Sequence, residues 1–155
     1  MSNAACNAIQ FQVGHVGLNV SDLDRSKKFY QQLFNLELIR ESTDAAQRFA
    51  YLSDNQGLML TLWQQSDGEF ATDRPGLHHL AFLVGSIDRV QALEQRLKEL
   101  ETPLFYDGVV AHAEGAASGG LFFSDPDGIR LEIYSLTGAD EAAAPSGKAP
   151  TCGFF

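Results

Sequence analysis

The chain has 155 residues, 45% hydrophobic and 20% charged, with a net charge of −9, a length that suits one domain with a sizeable core. An acidic balance with no Lys/Arg cluster excludes nucleic acid or an anionic membrane surface as the main partner. No apolar run nears the roughly 20 residues a membrane span needs.

The first ten residues have no basic stretch followed by an apolar one, so no secretory leader is expected and the cytoplasm is the expected compartment. They read as an extension before a single domain over 11–137, with modules at about 11–64 and 76–137. FQVGHVGLNV alternates as a strand. SDLDRSKKFYQQLFN predicts a helix capped by the Ser21 hydroxyl, with Asp22 and Asp24 in its first turn and Leu23, Tyr30, Leu33 and Phe34 on one face. LELIRES, QRFAYLS and GLMLTLW are strand-like, and LHHLAFLV is a fifth strand. SIDRVQALEQRLKELE predicts a second helix, capped by Ser86, with a stripe of Val90, Leu93, Leu97 and Leu100. TPLFYDGVV, GGLFFSD and GIRLEIYS follow as strands, with AHAEGAASGG as a long loop. The tail over 138–155 is Ala/Gly/Pro-rich and aperiodic. It reads as a flexible, mobile or surface-laid extension ending floppily at Phe154 and Phe155, the alternative being that these dock on the body or a partner. Cys6 and Cys152 form neither a disulfide framework nor a zinc motif and read as reduced, uninvolved thiols.

The order strand, helix, three strands occurs twice. HVGLNV at 15–20 aligns with HLAFLV at 79–84, and QGLMLTLW at 56–63 with DGIRLEIY at 127–134. The offsets are 64 and 71 residues, so the second half holds seven more, and AHAEGAASGG is the place for them.

Strand side chains alternate between faces. Val16, Leu18 and Val20 suit packing under the helix, leaving His15, Gly17 and Asn19 opposite. In the fifth strand His78, Leu80, Phe82 and Val84 share the helix side, and Leu77, His79, Ala81 and Leu83 lie opposite. In the last, Arg130, Glu132 and Tyr134 oppose Ile129, Leu131 and Ile133. A Glu in so apolar a strand must be paired or bind a metal if buried. Its counterpart in the first half is Thr61, flanked by Met59 and Trp63. One face of three strands thus offers His15, His79 and Glu132. Two imidazoles and a carboxylate bind a divalent transition metal and leave positions open for substrate. A slip of one residue would exchange His79 with His78, which otherwise reads as structural.

HVGLNVSDLDRSKKFYQQLFNLEL, HHLAFLV and FFSDPDGIRLEIYS together resemble the vicinal oxygen chelate superfamily, which includes glyoxalase I, extradiol dioxygenases, fosfomycin-resistance transferases and bleomycin-resistance proteins. The resemblance spans about 12–137 and implies an α+β fold of two βαβββ modules whose mixed sheet curls around a metal cleft. It implies His15, His79 and Glu132 as ligands, and a homodimer. Thr61 stands where glyoxalase I members use a fourth ligand, which weighs against a glutathione-dependent lyase. His112 lies upstream as in the extradiol signature, one residue too far, with Phe122 in place of the expected Tyr. The fosfomycin group's basic cluster has only Arg48, Arg74 and Arg130 as counterparts.

The activity so implied is Lewis-acid catalysis on a small substrate chelating one divalent ion through adjacent oxygens. Iron(II) is favoured, with manganese, zinc, nickel or cobalt as alternatives. Dioxygenase chemistry leads over lyase, isomerase or thiol-transferase chemistry, and a non-catalytic ligand-binding protein is the rival from another class. His112 is the acid–base candidate, and Tyr134 is a second catalytic candidate. Arg130 and Tyr134 share the face of Glu132 and are read as holding its free oxygen or touching substrate. Trp63, Met59 and Thr61 are read as cleft wall.

Overall fold

Leu23, Phe29, Tyr30 and Leu33 recur at helical spacing and are all buried, which fixes helix α1 (Leu23–Phe34) against its sheet. Val90 and Leu97 do the same for α2 (Ile87–Glu99). The computed structural model describes residues 12–154; the extension at 1–10, Cys6 and Phe155 lie outside the described residues. Strands β1 (Val16–Val20), β2 (Glu37–Ser42), β3 (Phe49–Ser53) and β4 (Met59–Gln64) form one four-stranded sheet in the order β1-β4-β3-β2. Strands β5 (Leu80–Leu83), β6 (Val110–Ala111), β7 (Gly119–Ser124) and β8 (Arg130–Ser135) form a second, in the order β5-β8-β7-β6. The class is α+β with two βαβββ modules, each carrying its own mixed sheet.

The register repeats across the halves. β1 runs parallel to β4 with Gly17 opposite Thr61, and β5 runs parallel to β8 with Ala81 opposite Glu132. The helices and the apolar faces of both sheets share one core, in which Phe34 meets Phe82 at 4.4 Å between ring centroids.

Two local readings are corrected. Asp22, not Ser21, caps α1, accepting from Arg25 N at 3.0 Å. The Ser21 hydroxyl is drawn away by Asp127, to which it donates. Ser86 does begin α2, but its side chain makes no cap hydrogen bond.

Asp127 belongs to the Asp125-Pro126-Asp127-Gly128 turn that precedes β8, and the start of α1 clamps it. Its carboxylate accepts from Ser21 N at 3.1 Å, from the Ser21 and Ser26 hydroxyls, and from Arg25 Nη2 at 2.7 Å. Asp125 accepts from Tyr30 Oη, Asp127 N and Ile129 N, each at 2.9 Å. Gly128 closes the turn at φ 86°, where a side chain would be strained.

Burial pushes the Asp125 carboxyl above its ordinary value, against the hydrogen bonds it accepts. A raised folded-state value means that the stability contributed is fully present below the unfolded value and lost as pH rises through the folded one. Asp125→Asn keeps the acceptor for both amides and can donate to Tyr30, so we expect it to stay within about 1 kcal/mol of wild type and to remove that pH slope. Asp125→Ala strands two amides and a phenol and should cost about 3 kcal/mol. Urea unfolding of both variants between pH 4 and 7 checks each expectation.

Candidate functional site

β8 carries alternating roles. Leu131 and Ile133 are fully buried in the core, while Arg130, Glu132 and Tyr134 take the opposite face. Glu132 is nevertheless only 3% exposed, so this face is covered too. A carboxylate so buried needs compensation, and two imidazoles supply contacts here. His79, one residue before β5, places Nε2 3.3 Å from Glu132 Oε2. His112, one residue after β6, places Nε2 2.7 Å from Glu132 Oε1. Its other nitrogen, Nδ1, lies 2.9 Å from Ser118 Oγ. A neutral His112 that donates through Nε2 to the carboxylate therefore accepts at Nδ1 from the Ser118 hydroxyl.

Oε1 of Glu132 faces His112 rather than Arg130 or Tyr134, which leaves contact with substrate as the other expectation for those two. The Tyr134 ring lies tilted beside that of His112, with centroids 5.4 Å apart. Arg130 turns its guanidinium over the ring of Phe154, 5.1 Å from the centroid, and its Nε is buried with no acceptor among the described residues.

Gly119 and Gly120 open β7 where side chains would not fit. A Cβ on Gly119 would meet that of Ala139 at 2.6 Å, and one on Gly120 that of Tyr134 at 2.8 Å. The absence of a side chain at Gly120 lets Tyr134, its cross-strand partner, lie close to the sheet.

His78 departs from the face expected of it. Its strand begins only at Leu80, so alternation does not govern it. Its Nδ1 lies 2.8 Å from His79 Nδ1, and its ring contacts Phe154.

The remaining candidates lie on the other sheet. Thr61 is buried; its hydroxyl accepts from Trp63 Nε1 at 3.1 Å and faces Val16 O at 3.5 Å. Trp63 packs with Phe49 and Tyr51, at 5.3 and 6.0 Å, as an aromatic wall, and Met59 is half-buried at the start of the same strand. His15 is exposed, one residue before β1. Within one chain His79, His112, Glu132, Arg130 and Tyr134 are gathered, and His15 is not brought to them. No group of three or more His, Cys, Asp or Glu converges in metal-binding geometry among the described residues.

The tail covers the Glu132 face. The amide of Ala111 donates to Ala143 O, that of Glu114 to Gly147 O and that of Thr151 to His112 O, each at 2.7 Å. The Thr151 hydroxyl is buried and donates to Ala111 O at 2.8 Å. A 3-10 turn, Thr151–Gly153, then delivers Phe154, 9% exposed, onto His79 at 5.7 Å between centroids. The expectation of a floppy end is corrected for Phe154. Short β6 leaves backbone groups that the tail satisfies, a signal with no side-chain periodicity to betray it. Cys152 lies close enough for Glu132 to act on it, and burial first, then that carboxylate, pushes its thiol up.

The superfamily described as Glyoxalase/Bleomycin resistance protein/Dioxygenase matches residues 12–133, and the chain belongs to it. It is 34% identical over 129 residues to the uncharacterized protein YwkD of Bacillus subtilis, covering 79% of this chain and 94% of that one. It is 31% identical over 139 residues to a trivalent organoarsenical cleaving enzyme of Bacillus sp. (strain MD1), covering 89% and 80%. A crystal structure of a glyoxylase/bleomycin resistance protein/dioxygenase domain from Frankia sp. superposes with a TM-score of 0.71 at 28% identity, covering 82% of this chain and 98% of that one. More distant relatives bear the names catechol-2,3-dioxygenase, metallothiol transferase and probable lactoylglutathione lyase.

Burial holds the His79 imidazole below its ordinary value, and the Glu132 carboxylate opposes that shift. Removing the carboxylate charge removes the opposing influence, so in Glu132→Gln we expect His79 to titrate lower still. NMR titration of the metal-free protein, following the His79 ring, reads this directly.

Proposed function

We propose that the chain is a divalent-metal-dependent enzyme acting on a small substrate that chelates through adjacent oxygens, with His15, His79 and Glu132 as ligands. The observation that carries this reading is the buried Glu132 carboxylate facing His79 with no Lys or Arg contact among its described ion pairs. The donor set fits such an ion. A lowered His79 keeps the neutral, ligating form, and two imidazoles with one carboxylate suit iron(II) first, with manganese, zinc, nickel and cobalt as alternatives. When bound, the ion supplies Lewis-acid stabilisation of the substrate anion, and redox chemistry if it is iron.

The chain's own residues do the rest. His112 orients Glu132 through Oε1, as an outer-shell partner of a ligating carboxylate does. Backed by Ser118, it is also the group best placed to move a proton at the substrate. Tyr134 packs against His112 on the side of Gly120, and Arg130 offers an unused N–H. Among reaction classes we place dioxygenase chemistry ahead of lyase, isomerase or thiol transfer. The names of the relatives span these classes, and Thr61, fully engaged with Trp63 and Val16, makes a poor fourth ligand.

His15 reaches the set from a second copy. β1 and β5 each form one edge of their sheets, and their outward residues Gly17, Asn19, Ala81 and Leu83 are exposed, Leu83 by 55%. Pairing β1 of one chain with β5 of another would satisfy both edges and bring His15 beside His79 and Glu132. The wall of Trp63, Phe49 and Tyr51 would then face the centre across the pair.

Metal content by mass spectrometry tests the reading. Wild type should hold close to one ion per chain, His78→Ala should keep it, and His15→Ala, His79→Ala and Glu132→Gln should each lose at least tenfold in affinity. Mixing His15→Ala with His79→Ala chains should restore up to one ion per mixed dimer. No metal in wild type after anaerobic reconstitution with iron(II), manganese or zinc overturns the proposal and leaves a ligand-binding module.

A further inference from the structure

One aromatic side chain closes the Glu132 face, and it comes from the far end of the chain. The Phe154 ring meets Phe105 edge-on at 4.9 Å and Phe122 edge-on at 5.3 Å. The imidazoles of His79 and His78 lie at 5.7 and 6.1 Å, and the Arg130 guanidinium lies over its face at 5.1 Å. Five partners thus enclose one six-membered ring: Phe105, Phe122 and His78 edge-on, His79 tilted and Arg130 over its face, contacts of the kind that recognise a π-system. The fit is incomplete in one respect. Arg130 Nε is buried beside Phe154 with no acceptor among the described residues, and a phenyl ring has none to offer.

The occupant is also held at a cost. Phe154 has φ 55° and ψ 44°, the left-handed region that a bulky residue seldom adopts. Its backbone is tied by the amides of the 3-10 turn, Gly153 N to Pro150 O at 3.0 Å and Phe154 N to Thr151 O at 3.1 Å, while the firmer anchor lies at Thr151.

We propose that Phe154 is a built-in stand-in for ligand: it fills an aromatic subsite beside His79, Glu132 and His112, and a planar arene bearing an oxygen substituent displaces it. The incoming ring takes the place of the phenyl group, its oxygen accepts from Arg130, and the Gly153–Phe154 end swings out while Thr151 stays anchored. Naming the substrate as aromatic rests on the reading of His79 and Glu132 as the reacting centre. The subsite itself does not need a metal.

The test is therefore run on full-length, metal-free protein with 4-fluorophenol, whose single oxygen cannot chelate. Binding is followed by the probe's 19F resonance and by hydrogen exchange of the backbone amides. Phe154→Ala should bind the probe at least tenfold tighter than wild type. In wild type, saturating probe should speed exchange at Gly153 and Phe154 at least tenfold and leave β7 and β8 unchanged. The proposal fails if Phe154→Ala binds no tighter than wild type, including the case in which neither binds, or if exchange at Gly153 and Phe154 stays the same or slows on binding. Should Phe154→Ala not fold, Phe154→Leu, which keeps apolar bulk but no ring, must still bind more tightly than wild type. Absence of metal from wild type after anaerobic reconstitution, with the probe result intact, would sink the enzyme reading alone.

Discussion

The chain's two halves depend on one acidic turn. Asp125 and Asp127 flank Pro126, and between them they engage the backbone of their own turn and four residues at the start of α1 and along it. The turn sets where β8 begins, and β8 carries Glu132 in its third position. A shift of one residue there would send Glu132 into the core and Leu131 out of it. The carboxylates are buried, so each must be hydrogen-bonded on several sides to persist. The donors that bridge the two modules come from the first and the acceptors from the second. The charge of the site is thus positioned by a contact that lies outside it, on the opposite side of the sheet from Glu132.

The duplicated modules have diverged in chemistry while keeping their geometry. Thr61 and Glu132 occupy equivalent ladder positions, each beside a small residue on the parallel neighbour. In the first module the hydroxyl is satisfied by an indole and a carbonyl and surrounded by aromatic rings. In the second the carboxylate meets two imidazoles. One sheet therefore supplies a wall and the other supplies the reactive groups, although the backbone treats them alike.

Much of this was legible in the order of residues. Alternation placed Leu18 and Val20 inward and put Glu132 on the face opposite Leu131 and Ile133, because a strand with one face in the core leaves no freedom of register. The repeat in the sequence pairs Gly17 with Ala81 and Thr61 with Glu132, as the ladders do. Legibility failed where the deciding partner was remote or backbone-borne. Ser21 reads as a helix cap until Asp127, over a hundred positions on, claims its hydroxyl. His78 reads as a strand residue until the strand is seen to start at Leu80. His112 could be nominated by motif, but its grip on Glu132 depends on a two-residue strand. The tail, rich in Ala and Gly, is docked through its amides and carbonyls and by Thr151, none of which leaves a periodic trace.

The span of the acidic clamp also bears on how the chain reaches its native state. Its side-chain contacts join residues 95 to 106 positions apart, whereas the β1–β4 and β5–β8 ladders each close within a single module. Loop-closure entropy favours the shorter closures first. Each module can assemble its own sheet and helix, and docking of the Asp-Pro-Asp-Gly turn onto α1 follows as the long-range step. Until that step, three acidic or phenolic side chains destined for burial remain in water, so the arrangement of the reactive face is among the last things the chain acquires.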